Sequence, residues 1–200
     1  SPFRMFLISF LGSMLAMVLV LLFARRAESV SVLIVIGIMI GYIASAATNL
    51  MITFASEHKV ANLHNWSMGS FSGITWDMLR VSALIILPTS ILVFMLSKPL
   101  QGYLLGESYA KTMGINIKRF RLILVSLSSV LSACVTAFAG PISFVGIAVP
   151  HLTRLTIKTT DPKVLTPAIF LMGSSFALIA DYFARSLFAP TELNISTVTS

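Results

Sequence analysis

The stretch GPISFVGIAVPHLTRL, Gly140–Leu155, decides how the chain is to be read. Its apolar residues are typical of a membrane segment, yet it holds two glycines, two prolines and a histidine. Its length is also below the roughly 20 residues that cross a hydrocarbon core about 30 Å thick. The stretch is therefore a loop, a broken helix or a functional site, and the surrounding sequence has to decide between them.

The composition indicates an integral membrane protein. Of the 200 residues, 56% are hydrophobic and only 10% are charged, with a mean hydropathy of +0.93. A soluble domain has about a quarter of its residues charged. The apolar runs are continuous and do not alternate, which favours helices over a membrane barrel. We therefore predict an all-α, polytopic membrane helical bundle.

Six apolar segments form this predicted bundle, and one of them is short. We treat residues 1–200 as a single transmembrane domain. The predicted spans are residues 5–24, 30–55, 81–97, 122–139, 142–157 and 164–189. Polar residues 56–80 and 98–121 separate the second span from the third and the third from the fourth, and the first of these stretches is expected to hold turns and a short interfacial helix.

The basic residues predict the orientation. The net charge of +7 could suggest nucleic acid as a partner, but the basic residues lie in short loops, where they act as topology signals. If all six segments cross, ten of the 14 Lys and Arg residues fall on one side; if Gly140–Leu155 does not cross, the division is eight to six. The stronger asymmetry favours crossing, with both ends of the chain outside. Because multi-span membrane proteins normally keep their termini in the cytoplasm, we expect further spans beyond both ends.

Small residues recur every four positions in the second segment, at Gly37, Gly41 and Ser45, followed by Asn49. Small residues let helix backbones approach closely in lipid, and polar ones form hydrogen bonds between helices. This face either packs on another helix or borders a solute pathway.

The polar stretch LLGESYAKTMGINIKRF contains Glu107, Ala110 and Gly114. Positions 107 and 110 lie on one face of a helix, and Gly114 suits a helix stop in the left-handed conformation. We predict a short amphipathic helix, a turn and then basic residues at the membrane edge. It is an ordinary cytoplasmic loop or a helix presented to a partner protein.

The opening stretch itself predicts a broken helix. Gly140 and Pro141 would end the fourth span and start a new helix, because Pro is tolerated at the first helical position. Pro150 would interrupt that helix and free the carbonyl of Gly146. His151 has no other ligand at metal spacing and no nucleophile beside it, so we interpret it as a structural residue at a helix end, hydrogen-bonded to backbone.

Two further groups of polar residues lie on the outer side. Asp181 and Arg185 are four positions apart near the end of the sixth segment, which suits a structural ion pair or a docking charge for an acidic partner. His58 and His64 lie six positions apart in the stretch 56–80 and give only a weak metal pattern. Neither a catalytic residue nor a metal site is therefore predicted.

The quoted motifs, in this order along the chain, resemble the FecCD family, the permease subunits of ATP-driven importers for iron-siderophores, haem and vitamin B12. The likeness is carried by GPISFVGIAVPHLTRL, by TDPKVLTPAIFLMGSSFALIADYFAR…PTEL, by the small-residue segment Gly37–Asn49, by WSMGSFSGITW and by LGESYAKTMGI. It extends over essentially the whole sequence. It implies a type II importer permease fold of ten spans, of which this sequence would match spans four to nine.

The resemblance also implies partners. A permease of this family works as a homodimer with two cytoplasmic ATP-binding subunits and an external solute-binding protein, in the cytoplasmic membrane of a bacterium or archaeon. No cofactor is expected on this chain, because it has no Gly-x-x-x-x-Gly-Lys phosphate loop. ATP-Mg would be hydrolysed by the partner ATPase.

The family likeness assigns roles to individual positions. Residues 98–121 resemble the coupling loop, in which Glu107, Ala110 and Gly114 match the Glu-x-x-Ala-x-x-x-Gly pattern. Arg185 matches an arginine that receives an acidic knob of the binding protein. Ser29 and Ser31 match the narrow cytoplasmic gate.

Two other classes of function compete with an importer. The first is an ion-coupled secondary transporter whose discontinuous helix binds the substrate. Its weakness is that Asp181 is the only candidate carboxylate within a span. The second is an intramembrane hydrolase using His151, for which the sequence offers no convincing nucleophile.

Overall fold

The computed structural model describes residues 2–24, 30–71, 73–142, 144–186 and 195–199. Within these ranges the chain forms helices and no strands. The helices are α1 (Pro2–Ala24), α2 (Val30–Thr53), α3 (Glu57–Ser67), α4 (Trp76–Met95), α5 (Ser97–Leu104), α6 (Glu107–Thr112), α7 (Ile117–Ala139), α8 (Val145–Ile157), α9 (Pro162–Ser186) and α10 (Ile195–Thr199).

The predicted all-α membrane bundle is confirmed. Four helical stretches in the described part of the chain are long and apolar enough to cross a membrane: Ile34–Thr53, Trp76–Met95, Ile117–Ala139 and Pro162–Ser186. Two shorter apolar stretches, Leu7–Val20 and Val145–Ile157, accompany them. Large apolar side chains are exposed along all these helices, as expected where lipid is the solvent.

Helices α4 and α7 define two ends of the bundle. At one end the Ser70 amide donates to the Ala139 carbonyl at 2.9 Å, joining the last residue of α7 to the turn before α4. At the other end α5 and α6 connect α4 to α7. We call these the Gly69 end and the Glu107 end. The 23 residues of α7 extend about 34 Å between them.

Helix α8 and its flanking residues carry the chain from the Gly69 end to the Glu107 end. Helix α9 contacts both α5 and α10, and the Ile195 amide of α10 donates to the Gly69 carbonyl at 3.3 Å. A Cβ added to Gly173 would lie 3.7 Å from the Val149 side chain, so α9 runs back along α8 and its last residues lie towards the Gly69 end. The 13 residues of α8 measure only about 20 Å, and its crossing of a membrane stays a prediction.

The packed core is made of small residues on α7. Ala133, Cys134 and Ala137 are buried, and this helix packs against α1 and α4. Small side chains let the backbones approach closely, which replaces the hydrophobic effect as a packing force in lipid. Among the described helices, α1 is the one that packs extensively against α2.

Two helices begin earlier than the sequence predicts because a polar side chain caps each of them. Thr75 accepts from the Met78 amide at 3.5 Å, so α4 begins at Trp76 and not at residue 81. Asn116 accepts from the Arg119 amide at 3.2 Å, so α7 begins at Ile117 and not at residue 122. The last three basic residues of the predicted loop, Lys118, Arg119 and Arg121, therefore lie in the first turns of α7.

Candidate functional site

The predicted coupling loop folds as two short helices, α5 and α6, followed by a tight turn. The turn at Gly114 is left-handed, with φ of 79°, as predicted. The Gly114 amide donates to the Lys111 carbonyl and the Ile115 amide to the Ala110 carbonyl, both at 3.0 Å. These bonds satisfy carbonyls at the end of α6 and turn the chain towards α7.

The face of α6 that carries Glu107 and Ala110 packs against other parts of this chain. Ala110 is completely buried. The Glu107 carboxylate accepts from the Arg121 guanidinium at 2.6 Å and from the Tyr103 hydroxyl at 3.1 Å. Sequence reasoning missed this cluster, since its members are 4, 14 and 18 positions apart and come from three helices.

The opposite face of the loop is apolar and exposed. Leu104 is 55% exposed, Leu105 66%, Tyr109 50% and Met113 58%. These side chains lie at the Glu107 end, where the Met113 sulfur also comes within 3.3 Å of a Cβ added to Gly102 of α5. An apolar surface of this kind is typical of a protein-binding site.

The junction between α7 and α8 is built around Gly140. This residue has φ of 75° and ψ of −177°, a region that only glycine occupies readily. A Cβ added to Gly140 would lie 2.4 Å from the Trp66 carbonyl oxygen and 3.1 Å from the Gly69 Cα. Close backbone contact with the turn after α3 therefore fixes the break between the fourth and fifth predicted spans.

The predicted start of the short helix at Pro141 is wrong. Helix α8 begins at Val145, and residues 140–142 are not helical. The docking of Gly140 against the Trp66–Gly69 turn keeps the chain from entering a helix at once. Phe144, immediately before α8, has a left-handed φ of 62°, which is uncommon for a bulky residue.

The predicted interruption at Pro150 and the helix-end position of His151 are also wrong. Pro150 lies inside α8, which continues to Ile157. Proline has no amide to bond the Gly146 carbonyl and its ring crowds that carbonyl, but the helix continues through it. His151 consequently lies in the middle of α8 with its side chain exposed, and the described residues provide it with no hydrogen bond.

The small-residue face of α2 is not covered by the described part of this chain. A Cβ added to Gly37 or Gly41 would meet no atom within 4 Å, and Ser45 and Asn49 are exposed. Packing of this face within the described residues is therefore absent. Of the predicted gate, Ser29 lies outside the described residues, and Ser31 lies in α2 with a side chain that is not described.

Asp181 and Arg185 form an ion pair on α9, with the Arg185 Nε 3.0 Å from the Asp181 Oδ2. Their side chains are 24% and 46% exposed, respectively. Since α9 ends near the Gly69 end, Arg185 lies on the opposite side of the bundle from Glu107. Its remaining exposure leaves part of the guanidinium accessible.

The histidines of α3 do not belong to a metal cluster in the described residues. His58 and His64 are exposed on α3. No group of three His, Cys, Asp or Glu side chains that could hold a metal ion occurs in the described ranges.

Comparison with known proteins gives consistent matches over the whole chain. The model of the FecCD transport family matches residues 1–200. The hemin transport system permease protein HmuU of Yersinia pestis is 32% identical over 193 residues, covering 96% of this chain and 58% of that protein. The vitamin B12 import system permease protein BtuC of Escherichia coli is 34% identical over 189 residues, covering 94% of this chain and 57% of that protein.

The fold also matches a solved structure. An inward-facing structure of a protein proposed to be a metal-chelate type ABC transporter aligns with a TM-score of 0.91 and 32% identity. The alignment covers 100% of this chain and 64% of that one. The chain thus spans less than two thirds of the length of each of these relatives.

Proposed function

Because this chain belongs to the FecCD transport family, we propose that it is the membrane-spanning part of a permease subunit in an ATP-driven importer. The proposed substrate is a metal chelate, either an iron-siderophore complex or haem. The observation that carries the proposal is the family match over residues 1–200, supported by a TM-score of 0.91 over the same chain. The subunit moves its substrate by alternating access and performs no reaction on it.

A second copy of the permease covers the small-residue face of α2. The face that carries Gly37 and Gly41 has no neighbour within 4 Å in the described residues, so another helix can approach it closely. Ser45 and Asn49, about one and two turns beyond Gly41, give the pathway between the copies weakly polar walls. Such walls suit a bulky chelate because they do not bind it tightly.

The Glu107 end is the cytoplasmic side and binds the ATPase subunits. The exposed apolar side chains of Leu105, Tyr109 and Met113 form the contact surface. ATP-Mg is bound and hydrolysed on the partner chain. Closure of the ATPase dimer moves α6, and this movement changes the tilt of the spans, a rigid-body transition biased at a distant site.

The Gly69 end faces outward and receives a solute-binding protein. Arg185 lies near that end with 46% of its side chain exposed. A guanidinium suits an acidic side chain on the partner because it can form paired hydrogen bonds with a carboxylate. The whole assembly lies in the cytoplasmic membrane of a bacterium or archaeon.

The test is ATP hydrolysis by the ATPase subunits, co-purified with the intact permease and placed in lipid nanodiscs. We expect hydrolysis to rise when the substrate-loaded binding protein is added, with the permease omitted as the control. If the permease binds no ATPase and instead catalyses uptake driven by an ion gradient, the proposal is wrong and the secondary transporter is the better account.

A further inference from the structure

Three helices meet at the Glu107 carboxylate. Tyr103 comes from α5, Glu107 begins α6, and Arg121 lies in the second turn of α7. We call these three residues the Glu107 cluster. The Tyr103 hydroxyl donates to Glu107 at 3.1 Å and accepts from Arg121 at 3.3 Å, while Arg121 also donates directly to Glu107 at 2.6 Å.

Packing holds the cluster on its α5 and α7 sides. The rings of Tyr103 and Phe120 have centroids 5.7 Å apart and are inclined by 53°. Phe120 is only 5% exposed, so it anchors the Tyr103 ring to the first turn of α7. A Cβ added to Gly102 would lie 3.2 Å from the Ile115 side chain, which shows how closely α5 packs on the turn after α6.

The cluster gives Glu107 a role that its neighbours on α6 do not have. The Tyr109 side chain is half exposed, whereas the Glu107 carboxylate is bound to α5 and α7. The pair is not a large source of stability, since Arg121 and Glu107 are 53% and 47% exposed and ion pairs of that kind are weak. Its effect is geometric, because a charge-assisted bond of 2.6 Å joins α6 to a helix that extends to the other end of the bundle.

We propose that Glu107 is a positioning residue that fixes α6 on the first turns of α7 through Arg121 and Tyr103, so that α6 and α7 move as one body. This inference rests on the proposed function. It adds to that function by identifying α7 as the span that moves with the ATPase. It differs from a direct contact between the Glu107 carboxylate and the ATPase. In that case Arg121 would have no part in coupling.

The first experiment measures geometry in the intact permease alone, in nanodiscs and without ATPase. Spin labels on cysteines introduced at Lys111 in α6 and Ser128 in α7, both exposed, report the distance between the helices; the native Cys134 is completely buried and stays unlabelled. We expect Glu107→Gln to broaden the distance distribution. The double change Glu107→Arg with Arg121→Glu should restore a narrow one. Asp77→Asn is the matched control, because its ion pair with Arg80 lies at the other end of the bundle.

The second experiment measures the ratio of binding-protein-stimulated to basal ATP hydrolysis in the full complex. Glu107→Gln and Arg121→Gln should each lower this ratio by roughly two- to fivefold, the range expected from an exposed ion pair. The two changes together should be no worse than either alone, because both remove the same bond. The charge exchange should recover most of the ratio.

The outcomes separate this inference from the function on which it rests. A distance distribution that Glu107→Gln leaves narrow would overturn the positioning role, and additive losses in hydrolysis would assign Glu107 to the ATPase contact instead. If the label distances respond as expected but the unsubstituted complex shows no stimulated hydrolysis, the joint between α6 and α7 stands and the importer function fails.

Discussion

Replacing Gly140 by alanine tests whether the junction between α7 and α8 requires a residue without a side chain. With φ of 75° and ψ of −177°, a residue other than glycine costs on the order of 1–3 kcal/mol in backbone strain. The new Cβ would lie 2.4 Å from the Trp66 carbonyl oxygen and 3.1 Å from the Gly69 Cα. Both are backbone atoms and cannot rotate away, so overpacking adds about 1–3 kcal/mol. We therefore expect a loss of about 2–6 kcal/mol in the free energy of unfolding.

The measurement is the apparent melting temperature of the intact permease, from size-exclusion chromatography after heating in detergent. Gly146→Ala is the matched control: it lies in α8, and its added Cβ would meet no atom within 4 Å. Alanine is favoured over glycine inside a helix by about 1 kcal/mol, so this variant should melt no lower than the parent protein. Equal melting temperatures for Gly140→Ala, Gly146→Ala and the parent would show that the junction accepts a side chain at position 140.

Five further substitutions test three of the proposed sites. Arg185→Glu should weaken binding-protein affinity at low salt, while Asp181→Asn should leave it at least as tight; an unchanged affinity in the first variant would make Arg185 only half of a structural pair. Gly114→Val should lower the stimulated hydrolysis of ATP because a β-branched residue is strained at φ of 79°. Gly114→Asn should retain more of this hydrolysis, since Asn adopts the left-handed region more readily. Equal activity of the two variants would show that the left-handed turn is not required. Gly41→Leu should reduce the paired permease in native electrophoresis, and an unaltered dimer band would remove α2 from the interface.

The features that the sequence predicts well are local. The apolar segments are visible because a helix in lipid has to be apolar over most of its length. Gly114 was predicted in a left-handed turn from its place after a short amphipathic helix, and its φ of 79° agrees. Both inferences use neighbouring residues alone.

The features that the sequence does not predict depend on contacts between distant residues. Pro141 favours a helix start, but the contact of Gly140 with the turn at Trp66 displaces that start to Val145. His151 was placed at a helix end because Pro150 was expected to stop α8, and the helix instead accommodates the proline. In each case tertiary packing overrides the local preference.

The Glu107 cluster shows the same limit at the candidate site. Spacing within the motif correctly put Glu107 and Ala110 on one face of α6. It could not show that this face points at α5 and α7, because Arg121 is 14 positions from Glu107 and joins it only in the folded bundle. The surface that we propose for a partner is consequently the other face of the helix.

Uptake of substrate by proteoliposomes shows whether the permease works together with an ATPase. The intact permease would be reconstituted with its ATPase subunits, with the binding protein outside and ATP-Mg enclosed, and offered radiolabelled ferric siderophore or haem. The account predicts accumulation that requires enclosed ATP and stops when an ATPase subunit unable to hydrolyse ATP is used. Accumulation that continues without the ATPase and follows an imposed ion gradient would contradict it.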